Sequence, residues 1–488
     1  MAAPLNSSAA ASRHLNPAPL SLLSLAQIER LHDASLRILE NCGLVVEDPD
    51  MRDLLARHGC LVRDRRVLFS RDLVATAISG DHHRRIPLRN PLTGQGFVLE
   101  PGTVRTHSTG GAPWIVDAKT GERRNANSSD MIDALRLMNQ LEHVDLPCCL
   151  FFPADIPAPI NQYVQAENMF RYCKKPIYAP GVSTVGNAKY VAELFRLFNP
   201  GNGEYAGIIG ISPESPLHLP REITDVMQVM VKAGVPVGIL AAPMAGLTGP
   251  VTLGGCVAQC HAEILAFASL AYLIRPQTPL IFSYRPFFCN MKMAQAILGL
   301  PENGLASALC AQLANYCGFL SDVYGLSCSS YDFDEQSGYE KMYNGLLPAL
   351  AGASLITGFG SLASVLCGSL AQLVLDNELF GMVRRTGFSI SLDDESLGLD
   401  AIGNVAWEDS NFMVEDHTIL NMRAPEVYTP VVGFDRTVSF EHRSEPALLE
   451  RAAQRAADLL ALDEPLSWTP EISTEVAAIR RAAEQELL

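Results

Sequence analysis

Several stretches of this chain carry side chains that could act together. The run "SSYDFDEQSGYEK", residues 329–341, alternates the aromatics Tyr331 and Phe333 with Asp332, Asp334 and Glu335. Rings and carboxylates around one cavity could hold a cation, and a methylammonium over an aromatic face gains roughly 2 kcal/mol once desolvated. The same residues could equally form a loop with Asp334 capping the next helix. "SYRPFFCNMK" adds Tyr284, a further ring for such a cage, and Arg285, which could meet a carboxylate in bidentate fashion or stand in solvent. Phe287 and Phe288 read as wedges that pack their loop.

Other candidates offer other chemistry. "GPVTLGGCVAQCHAE" places Cys256, Cys260 and His261 at spacings a zinc ion could use, but no CxxC pair supports a metal site and buried cysteines commonly pack in helices. Glu263 in the same run could meet a ligand or pair with a neighbouring helix, and His417 in "EDHTILNMRAPE" could reach an active site or serve locally. "GTVRTHSTGGAPW" lacks both the GxGxxG pattern and the Gly-Lys-Ser/Thr ending of a phosphate loop, so it reads as a tight turn with His107 and Trp114 as pocket walls. Neither a GxSxG elbow nor an HExxH motif occurs. Neither a protein nucleophile nor a metal centre is therefore expected.

These residues need a scaffold to converge. From about residue 100, eight short apolar strands, near residues 103, 144, 175, 205, 235, 278, 321 and 354, each end in a Gly, Pro or Ser loop and are followed by helical periodicity. The pattern predicts a (β/α)8 TIM barrel of the α/β class over 101–386, with functional groups at the C-terminal ends of the strands. A doubly wound sheet is the alternative, but its Gly-rich first turn is missing. Residues 1–20 read as a disordered tail and 21–100 as a helical N-terminal module. In that module Ser24, Asp48 and Ser70 act as N-caps, Gly43 and Gly59 as stops, and "CLVRDRRVLF" as a hairpin. Residues 387–488 form a C-terminal segment packing on the barrel, with a helix from Ser444 that buries Leu448, Leu449, Ala452, Ala456 and Leu459.

Composition limits the partners. The chain has 488 residues and a net charge of −16, so nucleic acid is not expected, since phosphate binding needs clustered cations. Twelve irregularly spaced cysteines do not make a secreted disulfide framework, and the N-terminus lacks a signal-peptide pattern. Both point to a cytoplasmic protein with reduced thiols. The uncharged stretches 233–260 and 355–375 are interrupted by Gly, Pro, Ser and Gln, so no membrane span is expected.

The order and spacing of "LHDASLRILENCGLVVED", "VDAKTGERRNANSSDMIDALRLMNQL", "GPVTLGGCVAQCHAEILA", "DEQSGYEKMYNGLLPALAGASLI", "LDDESLGLDAIGNV" and "DHTILNMR" across nearly the whole chain resemble the trimethylamine:corrinoid methyltransferase family. The resemblance implies a barrel that moves a methyl group from a methylated amine to the Co(I) of a corrinoid protein docked over its mouth. No cofactor would then be held tightly, the cobalamin being presented by the partner. Pyrrolysine, which the founding branch carries shortly before the Asp-x-Gln-x-Gly-Tyr-Glu segment, is absent; Tyr331 and Asp332 stand near that place. The same departure marks the non-pyrrolysine branch, whose substrates are quaternary amines such as glycine betaine. In this reading Tyr331, Asp332, Phe333, Tyr284, Arg285, Glu263 and His417 contact the substrate, no residue acts as a nucleophile, and the protein self-associates as a homo-oligomer. A non-catalytic betaine-binding or regulatory relative and a corrinoid-independent demethylase are the alternatives.

Overall fold

The computed structural model describes residues 20–387, 390–408, 410–422 and 447–488, together with Tyr428, Pro430 and Val432. The tail over 1–20 therefore lies outside the described residues except for Leu20. Seven parallel strands form one sheet: β1 Arg105–Ser108, β2 Ile177–Ala179, β3 Gly207–Ile211, β4 Val237–Ala241, β5 Leu280–Tyr284, β6 Ser321–Tyr324 and β7 Leu355–Phe359. They pair in the order β1-β7-β6-β5-β4-β3-β2, so the sheet curls round until its first and last members nearly meet.

An extended segment over 145–150 fills the gap. Leu146 bridges His107 in parallel, Leu146 N donates to Thr106 O at 2.9 Å, and Tyr178 N donates to Pro147 O at 3.0 Å. Pro147 has no N–H to give back, so this eighth stave is held by bridges and not by a regular ladder. A helix follows each stave, from Ser128–Gln140 after β1 to Leu370–Arg385 after β7. The eightfold expectation is met.

Inside the barrel, Leu146, Tyr178, Ile208, Ile281, Leu320 and Leu355 form an apolar cluster. The antiparallel hairpin Ile86–Arg89 and Gly96–Leu99 closes its N-terminal end with Ile86, Leu88 and Leu99. That hairpin belongs to the N-terminal module, which is consequently not helical throughout. The module holds helices Leu25–Asn41, Pro49–Arg57 and Arg71–Ala77, and a sheet in which His218–Leu219 pairs with Leu44–Val46. The capping box at Ser24 and Gln27 is present. Gly43 ends the first helix at φ +58°, where a Cβ would lie 2.0 Å from Val67 O, so only glycine fits.

Among the described residues one helix, Leu253–Ile274, is long and apolar enough to cross a membrane. It is buried from Cys256 through Ala271, between the barrel sheet on one side and the N-terminal helices Leu25–Asn41 and Arg71–Ala77 on the other. A helix apolar on all faces is what such a doubly covered position requires.

In helix Glu335–Leu350 the buried face is Ser337, Lys341, Asn344, Gly345, Pro348 and Ala349, whereas Tyr339 and Tyr343 are exposed. Polar residues can face inward here because Lys341 Nζ lies 3.0 Å from Asp376 Oδ2 and donates to Leu326 O at 2.6 Å. The C-terminal helix spans Leu448–Leu462 and buries Ala452, Ala456 and Leu459, but Leu448, expected to be buried, is exposed and Leu449 is only half-buried. The helix's expected start at Ser444 lies outside the described residues, and a further helix, Pro470–Leu487, follows it.

Asp376 also accepts from Gly360 N at 2.7 Å and from Gln372 Nε2 at 2.8 Å, so it ties three elements together beneath the loop after β7. Asp376→Ala would strand a buried ammonium, and should lower the unfolding free energy by about 3–5 kcal/mol. Urea denaturation checks this; an unchanged midpoint would mean that the pair does not brace the barrel.

Candidate active site

Side chains on a strand alternate between its faces, and in a barrel this divides interior from exterior. On β5, Phe282 and Tyr284 face outward: Tyr284 is fully buried beneath the helices and its hydroxyl lies 2.8 Å from His261 Nδ1. Arg285, one residue on, turns inward. The cage position expected for Tyr284 thus falls on the wrong side of the wall, while Arg285 lines a cavity at the C-terminal mouth.

Beneath that cavity lies Asp322, in the middle of β6 and fully buried. Its Oδ1 is 2.9 Å from His107 Nε2 on β1. Its Oδ2 accepts from Arg285 Nη2 at 2.6 Å and from Tyr178 Oη on β2 at 3.0 Å. Arg285 Nη1 also donates to Tyr284 O at 2.9 Å and Asp322 O at 2.7 Å. His107 Nδ1 faces Ser108 O at 2.9 Å, so both ring nitrogens meet oxygen acceptors. Burial alone would raise the Asp322 carboxyl, but the charges and hydrogen bonds of Arg285 and His107 prevail and hold it well below the usual carboxylate range.

The cavity above this floor has a volume of ≈ 350 Å³. Phe152, Tyr178 and Tyr324 supply aromatic walls, Gln162 and Gln165 supply amides, and the Gly110–Gly111 turn lets backbone approach. The Tyr178 ring stacks on His107 with centroids 4.2 Å apart, and the Arg285 guanidinium lies 5.1 Å from the centre of Tyr324. Val365 joins the wall from a loop in which Ala363, Ser364 and Val365 have φ of +52°, +52° and +65°. Three successive non-glycine residues in the left-handed region cost of order 1–3 kcal/mol each, and such strain gathers at functional sites. A larger cavity of ≈ 550 Å³ lies among the outer helices; its lining includes Phe333, Asp334, Lys341 and Asp376, but Lys341 and Asp376 are taken up by each other and Asp334 by its helix cap.

A family model described as trimethylamine methyltransferase (MTTB) matches residues 3–486. The chain belongs to this trimethylamine methyltransferase family. It is a methyltransferase. The trimethylamine methyltransferase MttB of Desulfitobacterium hafniense is 28% identical over 468 residues, covering 94% of this chain and 92% of that protein. A glycine betaine methyltransferase of the same species is 25% identical over 469 residues, covering 94% and 96%. Among solved structures, the monomethylamine methyltransferase MtmB of Methanosarcina barkeri superposes with a TM-score of 0.52 at 12% identity, covering 92% and 89%, which shows a shared fold.

Within this trimethylamine methyltransferase fold, the residues singled out by sequence scatter. Tyr331 is 54% exposed and Asp332 is exposed as well, while Phe333 packs against Val116 and Cys328 and lines the outer cavity. Asp334 caps its helix, accepting from Ser337 N at 2.8 Å. The loop after β6 is held by Ala363 N donating to Ser330 O and Ser364 N donating to Cys328 O, so it is Val365 that reaches the cavity from this side. His417 lies in a cleft of the C-terminal segment beside Asp394 and Leu420. Of the two pocket walls read from "GTVRTHSTGGAPW", His107 lines the cavity and Trp114 instead bonds Asn125. Cys256 and Cys260 point their sulfurs toward Pro243 O and Ala241 O, away from His261, because residues adjacent on a helix are turned about 100° apart.

Asp322, Tyr178, Tyr324, Phe152, Gln162 and Gln165 were not singled out from sequence. The available signal was Asp322 itself, an acid within the strand run "SDVY", which is affordable in a barrel interior only when paired.

Glu263 is occupied structurally. It accepts from Ser215 Oγ at 2.7 Å, Leu217 N at 2.9 Å and Gln259 Nε2 at 3.0 Å, and burial raises its carboxyl from 4.5 to about 7 despite those bonds. The folded state then holds a proton that the unfolded state releases, so this group costs stability as pH rises from 4.5 to 7 and the loss is complete above that window. Glu263→Gln keeps the shape without the titration. It should flatten this decline, worth roughly 3 kcal/mol, in unfolding free energies measured from pH 4 to 8; a decline of equal size in both proteins would rule Glu263 out as its source.

Proposed function

We propose that the substrate is a quaternary amine bearing a carboxylate, of the betaine type, and that its methyl group goes to the Co(I) of a corrinoid protein docked over the barrel mouth. The observation that carries this reading is the layering of the cavity. Its floor holds a guanidinium and an imidazole around one carboxylate, and its walls are aromatic. A zwitterion fits that order, with its carboxylate toward the Arg285 edge and its ammonium among Phe152, Tyr178 and Tyr324, nearer the opening. Trimethylamine offers nothing to the floor.

The chemistry needs little from the protein beyond placement. A quaternary nitrogen already carries its charge and leaves as a neutral amine, taking the electron pair of the broken N–CH3 bond, so no acid is required. The acceptor supplies the electron pair of the new bond. A protein thiol is poorly suited to that role, since burial pushes Cys148, the cysteine lining the cavity, up to about 12. The chain's own contributions are then to orient the methyl group outward, to exclude water, and to hold the leaving amine against the rings. The glycine betaine methyltransferase among the relatives supports the substrate class.

The test supplies the purified chain and a corrinoid protein reduced to Co(I) with quaternary amines and, separately, with trimethylamine, following methyl-Co(III) formation by absorbance. Carboxylate-bearing quaternary amines should be turned over. Transfer from trimethylamine alone, or from none of them, would overturn the reading. Phe152→Ala, at a partly exposed position that leaves the core intact, should raise the amine concentration for half-maximal rate about tenfold, the loss of one cation–ring contact.

A further inference from the structure

On the outer side of β5, away from the mouth cavity, three side chains from distant parts of the chain meet. His32 comes from helix Leu25–Asn41, His261 from helix Leu253–Ile274, and Cys317 caps the C-terminal end of helix Pro301–Tyr316. His32 Nδ1 lies 3.0 Å from His261 Nε2, and Cys317 Sγ lies 3.7 Å from each nitrogen. These are three potential ligand atoms within 4.8 Å of one another, and no other three His, Cys, Asp or Glu side chains among the described residues converge in this way.

The triangle has the dimensions of one face of a tetrahedral site. Bonds of about 2.0–2.1 Å to nitrogen and about 2.3 Å to sulfur place tetrahedral ligand atoms roughly 3.4 Å apart for a nitrogen pair and roughly 3.6 Å for nitrogen and sulfur. The observed separations match to within about 0.4 Å, a shift that side-chain rotation supplies. The donor set is right as well, because two imidazoles and a thiolate suit zinc better than the harder cations.

The surroundings favour a bound ion. His261 is fully buried, and burial lowers it well below the ordinary range; burial lowers His32 too, with nearby Arg71 adding to the effect. Tyr284 Oη, 2.8 Å from His261 Nδ1, can accept that N–H and so direct the Nε2 lone pair at the ion, as the second hydrogen bond of a metal-bound histidine commonly does. Cys317 is held as a thiol, pushed up to about 12 by burial, and would give up its proton on binding. His32 and Cys317 are half-buried, so the triangle lies nearer the surface than the fully buried His261 alone would place it.

We propose that His32, His261 and Cys317 bind one zinc ion, with water as fourth ligand, and that the ion fastens the N-terminal helix to the barrel wall. The proposal does not depend on which amine is methylated.

The test strips the untagged full-length chain with chelator and titrates it with Co2+, reading the thiolate-to-cobalt band in the near ultraviolet and the visible bands of tetrahedral Co2+. Saturation at one ion per chain, reversal by Zn2+, and loss of the near-ultraviolet band in Cys317→Ser are expected. Tyr284→Phe should weaken Co2+ binding by about 10–100-fold. Zn2+ should raise the thermal midpoint of the parent but not of His32→Ala, a half-buried position whose loss leaves the fold intact as judged by circular dichroism, so the result stands even if Cys317→Ser does not fold. The absence of a saturable band, or an undiminished response in His32→Ala, would overturn the proposal.

Discussion

The mouth of this barrel is organised by one buried carboxylate. Asp322 sits where water cannot reach it, and it survives as an anion only because Arg285, His107 and Tyr178 converge on it from three other strands. Taking a charge out of water costs several kcal/mol even after relaxation, so no partner can be lost cheaply. The constraint is also constructive. By binding both oxygens, the three partners fix the guanidinium, the imidazole and the phenol in one arrangement, and the cavity above inherits walls that are set before any ligand arrives. Preorganisation of this kind suits a reaction whose protein contribution is orientation.

The order of the fold was legible because it rests on local signals. Apolar runs ending in Gly, Pro or Ser mark the staves, and the caps at Ser24, Asp48, Ser70 and Asp334 mark helix starts through hydrogen bonds spanning two or three residues. Even the irregular stave over 145–150 was visible as an apolar run, although Pro147 keeps it from forming a full ladder. What local signals do not carry is parity. Tyr284 and Arg285 are neighbours in sequence, yet one faces the helices and the other the cavity, and nothing short of the barrel's closure decides which.

The same limit explains the run from Tyr331 to Glu335. Its composition suggests a cage, but Asp334 is used as a cap and the loop is held by backbone bonds to the strained residues Ala363 and Ser364. Tyr331 turns outward and Phe333 packs on the cluster around Val116 and Cys328, while Val365, an unremarkable residue by type, faces the cavity. Pairings across hundreds of residues were equally invisible: His107 with Asp322, Lys341 with Asp376, and His32 with His261 and Cys317 each join segments that no spacing rule connects. An acid or a lysine inside an apolar element is the one local hint, because burial without a partner is prohibitively costly.

Strand β5 shows how the two faces of the wall become one mechanical unit. Tyr284 and Arg285 share a peptide bond, and Arg285 Nη1 donates to the Tyr284 carbonyl, so the outward ring and the inward guanidinium cannot move independently. Outside, Tyr284 is held by His261, which meets His32 on a helix docked through Ser35 Oγ donating to Ala258 O at 2.9 Å. Inside, Arg285 is held by Asp322. Whatever fastens the N-terminal helix therefore also fixes the outer side of the strand that presents the guanidinium. The N-terminal module, which also plugs the barrel floor with Ile86, Leu88 and Leu99, is in this sense part of the site without touching the cavity.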